Sequence, residues 1–112
     1  MDIMFSSRKF EKMCNNLSKL VERRGQIQAK LIALRLKQLQ AAPTLSDMRT
    51  LPQVRCHELV GNRKGQLSVD LDYPYRLILI PADEPVPKKP DGGLDWSRVT
   101  AIEILGVEDA HE

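Results

Sequence analysis

The chain contains two histidines, His57 and His111, and histidine is the side chain suited to moving protons near neutral pH. RNA can be cleaved without a metal when one group deprotonates the ribose 2′-OH and another protonates the departing 5′-oxygen. A cation must also stabilise the charge that develops on the phosphorane. His57, Arg63, Lys64, Arg76, Asp109 and His111 supply the types of group that reaction uses. Arg63 and Lys64 stand side by side in Gly61-Asn62-Arg63-Lys64-Gly65, so a glycine-bracketed turn is expected to project both into solvent. Arginine offers a bidentate fork for phosphate and lysine a point charge. Arg76 interrupts the apolar run Tyr75–Ile80, where an unpaired guanidinium is costly to bury. It either pairs with a carboxylate such as Asp70 or Asp72 or faces a concave site that an anion completes. Each residue also has a plainer reading: a solvated turn for Arg63 and Lys64, a satisfied strand residue for His57, a frayed terminus for His111.

Other chemistries lack their residues. Cys14 and Cys56 are two lone thiols with neither CxxC nor metal-ligand spacing, and the histidines form no zinc pattern. No metal or cofactor is expected. There is no GxxxxGK[ST] phosphate loop and no GxSxG elbow. Five aromatic residues are too few for a row of base-stacking rings.

Charge adds a second pointer. The net charge of +2 conceals thirteen Lys/Arg against five Asp/Glu in residues 1–64, and four against ten in residues 65–112. The halves are thus +8 and −6, so the first reads as facing a polyanion. The plainer account is a solvated basic helix face. No apolar stretch approaches the ~18 residues that span a bilayer, and the N-terminus has no basic segment leading an apolar one. A cytoplasmic, reduced protein is the default. One disulfide is geometrically possible, but a core of this size does not need it.

The elements that must position these groups follow from periodicity. At 112 residues there is room for one domain and no second core. Ile3–Phe5 reads as a strand; Ser6 or Ser7 then caps a short helix that Asn15-Asn16 ends. Leu17, Leu20 and Val21 continue at helical spacing to Gly25. Gln26–Ala41 is the clearest helix: Ile27, Leu31 and Leu34 form one stripe and Ile32, Leu36 and Leu39 another, with Lys30, Arg35 and Lys37 outside. It is too long and apolar for a recognition helix, which argues against a helix-turn-helix DNA-binding protein. After Pro52 the period changes to two. Val54–Val60 reads as a strand, Leu67–Leu71 as a half-buried returning strand and Tyr75–Ile80 as a central one. Residues 81–95 form a proline-rich loop, Arg98–Val107 a last strand, and Glu108–Glu112 an acidic tail. The expected architecture is α+β, with N-terminal helices packed on one antiparallel β-sheet.

Several segments taken together resemble a known family. Arg55-Cys56-His57-Glu58-Leu59-Val60-Gly61-Asn62-Arg63-Lys64-Gly65-Gln66, Tyr75-Arg76-Leu77-Ile78, Asp91-Gly92-Gly93-Leu94-Asp95-Trp96 and Val107-Glu108-Asp109-Ala110-His111 resemble the HigB-like, plasmid-maintenance "killer" branch of the RelE/ParE toxin superfamily. The resemblance runs over the whole chain and is strongest from residue 51 onward. It implies a RelE-like fold and a ribosome-dependent mRNA endoribonuclease acting at the 30S decoding site, neutralised by a HigA-type antitoxin. By the same resemblance His57, Arg63, Arg76, Asp109 and His111 are the catalytic positions, with Lys64 and Ala110 at substrate-binding ones. Three positions depart from the pattern. Val60 stands where the branch has lysine, with Lys64 as an alternative source of that charge. Asn62 replaces a loop aspartate, and Ala110 replaces the tyrosine of a terminal Asp-Tyr-His. Alanine can neither stack on a base nor donate a hydroxyl, so the resemblance implies either weakened or lost cleavage, or substitution by Tyr73 or Tyr75. Two non-catalytic alternatives stand beside this reading: a ParE-like gyrase inhibitor and a degenerate module that only binds its antitoxin.

Overall fold

Local signals set the first half of the chain. A computed structural model describes residues 1–110, and in it β1 (Asp2–Phe5) leads into α1 (Arg8–Cys14). The Ser7 hydroxyl accepts from the Phe10 N–H at 3.1 Å, and Asn16 Oδ1 caps α2 (Leu17–Arg24) by accepting from the Lys19 N–H at 3.2 Å. Gly25, at φ +82°, separates α2 from α3 (Gln26–Ala41), a backbone angle that a side chain would strain.

The second half departs from its local pattern in several places. Only His57–Glu58 (β2) pairs as a strand within the expected Val54–Val60. Pro52–Val54 coils into a 3₁₀ turn, and Arg55 adopts the left-handed region at φ +50°, which breaks the extended backbone. Beyond Glu58 the chain turns again, as Gly61–Arg63 forms another 3₁₀ turn. Leu67–Asp70 (β3) and Tyr75–Pro81 (β4) follow as an antiparallel pair. Ser68 is buried like its neighbours, so β3 is covered on both faces and not half-exposed. The last strand starts late because Trp96–Arg98 forms a 3₁₀ turn capped by the Asp95 carboxylate. It then runs from Ala101 to Asp109 (β5), so Glu108 and Asp109 belong to a strand and not to a tail.

The five strands are ordered β1-β5-β4-β3-β2, with β4 central as expected. The sheet is mixed, because β1 runs parallel to β5 with Ile3 opposite Ile102. This corrects the expected antiparallel sheet; the remaining pairs are antiparallel. A parallel partner requires a long crossover, and here the rest of the chain provides it.

One face of the sheet packs on the helices. Leu67, Val69, Leu77, Leu79, Ile102 and Ile104 are fully buried in one cluster with Ala29, Ile32 and Leu39 of α3. The helix is rotated from the orientation its sequence suggested. Ile27 and Leu34 are 72% and 45% exposed, whereas Arg35 is buried. The Arg35 guanidinium satisfies itself by donating to the Asp70 carbonyl at 2.7 Å and to Gln38 Oε1 at 3.1 Å. No helix among the described residues is long and apolar enough to cross a membrane.

A bulge in β5 decides which side chains occupy the opposite face. Ile104 stands opposite Leu79 and Gly106 opposite Ile78, leaving Leu105 as an extra residue. Strict alternation from Ile102 and Ile104 would turn Glu108 toward the core. The extra residue shifts the phase, so Glu108 lies opposite Arg76 on the face away from the helices, and Val107 takes the core side opposite Leu77. Gly106 makes the bulge at φ +147°, a conformation that L side chains rarely adopt.

Candidate active site

Two arginines converge on one carboxylate on the face away from the helices. The 3₁₀ turn carries Arg63, whose Nη1 and Nη2 donate to Glu108 Oε1 and Oε2 at 2.8 and 2.5 Å. From β4, Arg76 Nη2 donates to Glu108 Oε1 at 3.3 Å. Arg63 therefore folds back over the sheet, correcting the expectation that it projects into solvent; Gln66 Oε1 also accepts from its Nε at 2.9 Å. Arg76 has Glu108 as its partner, not Asp70 or Asp72. Asp70 stands opposite Arg76 in the register but pairs with Arg55 Nε at 2.9 Å. Asp72 instead accepts from Gln28 Nε2 at 3.0 Å.

The cluster is strongly polarised. The Arg63 hydrogen bonds, joined by the one from Arg76, outweigh burial and hold the Glu108 carboxyl down to about 2 from an ordinary 4.5. A carboxylate so stabilised is a poor general base. The Arg76 side chain is only 19% exposed, and its Nε is buried without a hydrogen-bond partner. Two positive charges thus face one negative, and Arg63 and Glu108 line a recess of about 270 Å³ with Ile78 and Gly106.

His57 lies on the same face, opposite Ser68 in the register. Its Nδ1 lies 2.8 Å from the Arg55 carbonyl oxygen. A carbonyl can only accept, so this bond requires the proton on Nδ1 and leaves the Nε2 lone pair free in the neutral ring. The left-handed Arg55 turn that ends the preceding segment aims this carbonyl back at the ring. The Ser68 hydroxyl beside it is buried and unpartnered.

The remaining positions are distributed differently. Lys64 is exposed and lines a neighbouring cavity of about 550 Å³. Asp109 stands opposite Tyr75, across the strand from Glu108 and from the arginines. The Ala110 N–H donates to the Pro74 carbonyl at 2.7 Å, which sets Ala110 against the Tyr73-Pro74-Tyr75 turn. Of the two tyrosines there, Tyr73 is 88% exposed and Tyr75 packs against the core. His111 lies outside the described residues. The structure therefore brings His57, Arg63 and Arg76 to one face and separates Asp109 from them. Sequence reasoning missed Glu108 as a member of the cluster. The signal was its position as the first charged residue after an apolar strand, but only the bulge shows which way it points.

Both thiols are free, and burial pushes Cys14 up to about 11 and Cys56 up to about 12, which makes them weak nucleophiles. On the helical layer, Lys9, Lys12, Lys19 and Arg23 surround a concavity of about 140 Å³ with no carboxylate in its lining. None of the four forms an ion pair among the described residues. Compared with known proteins, the chain matches no family model and no curated protein.

Proposed function

We propose that the chain is the toxin of a HigB-like type II toxin–antitoxin pair, acting in the cytoplasm as a ribosome-dependent endoribonuclease on mRNA. The observation that carries this reading is the shared face of His57, Arg63 and Arg76. Arg63 there already grips a carboxylate in the forked geometry that also suits a phosphate, and Arg76 joins it through one hydrogen bond. In the proposed reaction the scissile phosphate takes the place of Glu108 between the two guanidiniums. His57 Nε2 accepts the proton of the ribose 2′-OH, and that oxygen attacks phosphorus. The arginines stabilise the pentacoordinate dianion. The P–O5′ bond breaks and the 5′-oxygen takes a proton from solvent water, leaving a 2′,3′-cyclic phosphate and a 5′-hydroxyl, while His57 returns its proton to solvent. The resemblance adds His111 to this site; Asp109, on the other face of the sheet, takes no step in this reaction.

Two further features support the reading. The Lys9, Lys12, Lys19 and Arg23 cluster is suited to ribosomal RNA phosphates, whose contacts position without reading sequence. The exposed Ile27 and Leu34 on α3 offer apolar surface to a HigA-type antitoxin. A non-catalytic reading, as a gyrase inhibitor or an antitoxin-binding remnant, draws on Ala110 and on the occupation of both arginines by Glu108.

Translating ribosomes separate the two readings. The chain and its Ala110→Tyr variant are added to a translated mRNA, and the RNA ends are mapped. Cuts within ribosome-occupied codons, more abundant with the tyrosine, are the expected result. An intact message with both proteins overturns the enzyme reading, and toxicity that survives loss of His57 then favours the gyrase alternative.

A further inference from the structure

The larger cavity, about 550 Å³, has no part in the reaction above, yet Gln66 lines both it and the recess beside Arg63. It lies between the β3 edge and the 82–95 loop. Its walls include the apolar side chains of Ile80 and Leu94, and Gly92 and Gly93 contribute bare backbone. Three charged side chains line the same space: Glu58, Lys64 and Lys88. None of them forms an ion pair among the described residues, although they share one cavity.

Glu58 is held in place from one side only. Its Oε2 accepts from Trp96 Nε1 at 2.9 Å, and the buried Trp96 ring is itself covered by the Arg49 guanidinium at 3.9 Å. The other carboxylate oxygen has no hydrogen-bond partner among the described residues. A fixed acceptor, two unpaired ammonium donors and apolar walls call for a flat ligand with adjacent donors on one edge and acceptors on another. Guanine is the base that fits. Its N1–H and N2–H present two neighbouring donors to a carboxylate, while O6 and N7 accept from lysine. Adenine and cytosine place an acceptor beside their amino group, and uracil flanks its N3–H with two carbonyls; each would set an oxygen or nitrogen lone pair against Glu58.

We propose that this cavity is a guanine-binding subsite, with Glu58 reading the Watson–Crick edge and Lys88 and Lys64 supplying the donors. Its placement beside the scissile phosphate rests on the RNase reading above; the binding itself does not. The guanine is then that of a nucleotide flanking the cut.

The test has two arms. In the first, ¹H–¹⁵N spectra of the full chain are titrated with 5′-GMP, 5′-AMP and 5′-UMP. GMP is expected to move the Leu67, Gly92 and Gly93 amides, with an affinity at least roughly tenfold above the other two. Glu58→Gln keeps an oxygen for Trp96 but loses the charge, and should erase that preference. Lys88→Ala, a change on an exposed loop, should weaken GMP without altering the remaining spectrum. Shifts confined to other regions, or equal affinity for all three nucleotides, overturn the proposal. In the second arm, cuts in translated mRNA are mapped for the chain and for Glu58→Gln, with enrichment for adjacent guanine expected only in the former. GMP binding without any cleavage sinks the RNase reading and leaves the subsite standing. Cleavage indifferent to guanine leaves the RNase reading standing and overturns the placement of the subsite beside the scissile phosphate.

Discussion

Glu108→Gln probes the occupied arginine pair directly. On the proposed reading, Glu108 holds the position assigned to the RNA phosphate in the resting protein, so a substrate has to displace it. Its carboxyl is held at about 2 instead of 4.5, which corresponds to roughly 3 kcal/mol of preference for the charged, paired form. The side chain is 34% exposed, and solvent screening reduces that to about 1 kcal/mol. Removing the charge should therefore tighten binding of a short single-stranded RNA by about fivefold at 0.1 M salt. Fluorescence anisotropy with a labelled oligonucleotide reads this, with Arg76→Gln as the control that loses binding. The same substitution has an acid signature. Because the folded carboxyl titrates below its unfolded value, its contribution to stability is full above about pH 4.5 and fades as pH falls toward 2. Glu108→Gln should flatten that part of the stability profile. Unchanged or weaker RNA binding by Glu108→Gln would refute the idea that the arginines are an anion site held closed by this carboxylate.

Three further outcomes are expected. Gly106→Ala forces a side chain into a φ of +147°, and should lower stability by about 1–3 kcal/mol in urea unfolding while disturbing the Arg63–Glu108 pair. Asp83 ties the 82–95 loop to β5 by accepting from the Thr100 N–H, Thr100 Oγ1–H and Ala101 N–H at 3.1, 2.7 and 3.1 Å. Burial alone would raise its carboxyl, yet these bonds hold it below the ordinary value, so Asp83→Ala should cost about 1–2 kcal/mol and blunt any GMP binding. Replacing Lys9, Lys12, Lys19 and Arg23 together by glutamine should weaken ribosome binding and reduce the slope of log K against log salt by about 3; an unchanged slope would remove that cluster from the docking surface.

What the sequence made legible was whatever depends on near neighbours. Ser7, Asn16, Gly25 and Pro43 mark the helix ends because caps and breakers act within one turn. His57, Arg63 and Arg76 stood out because their side chains have few purely structural uses where they occur. The orientation of α3 was not legible. Periodicity favours Ile27 and Leu34 as core and Arg35 as surface, but Arg35 gains a backbone carbonyl at the end of β3, an acceptor distant in sequence. The parallel β1–β5 pairing joins the two ends of the described chain and has no local signature. Glu108 stayed hidden for the same kind of reason: one extra residue at Leu105 reverses the alternation on which its assignment depends. Asp109 is the mirror case, a charged strand residue assigned to the site by resemblance and carried to the other face by that same bulge.

The central claim is that His57 starts metal-free cleavage of mRNA between Arg63 and Arg76. The most direct measurement is the chemistry of the RNA ends left by the chain and by His57→Gln on translating ribosomes. The account predicts 2′,3′-cyclic phosphate and 5′-hydroxyl ends from the chain, and a rate lowered by about 10²–10⁴-fold in a folded His57→Gln protein. Cuts that His57→Gln makes equally fast, or 5′-phosphate ends, would contradict it.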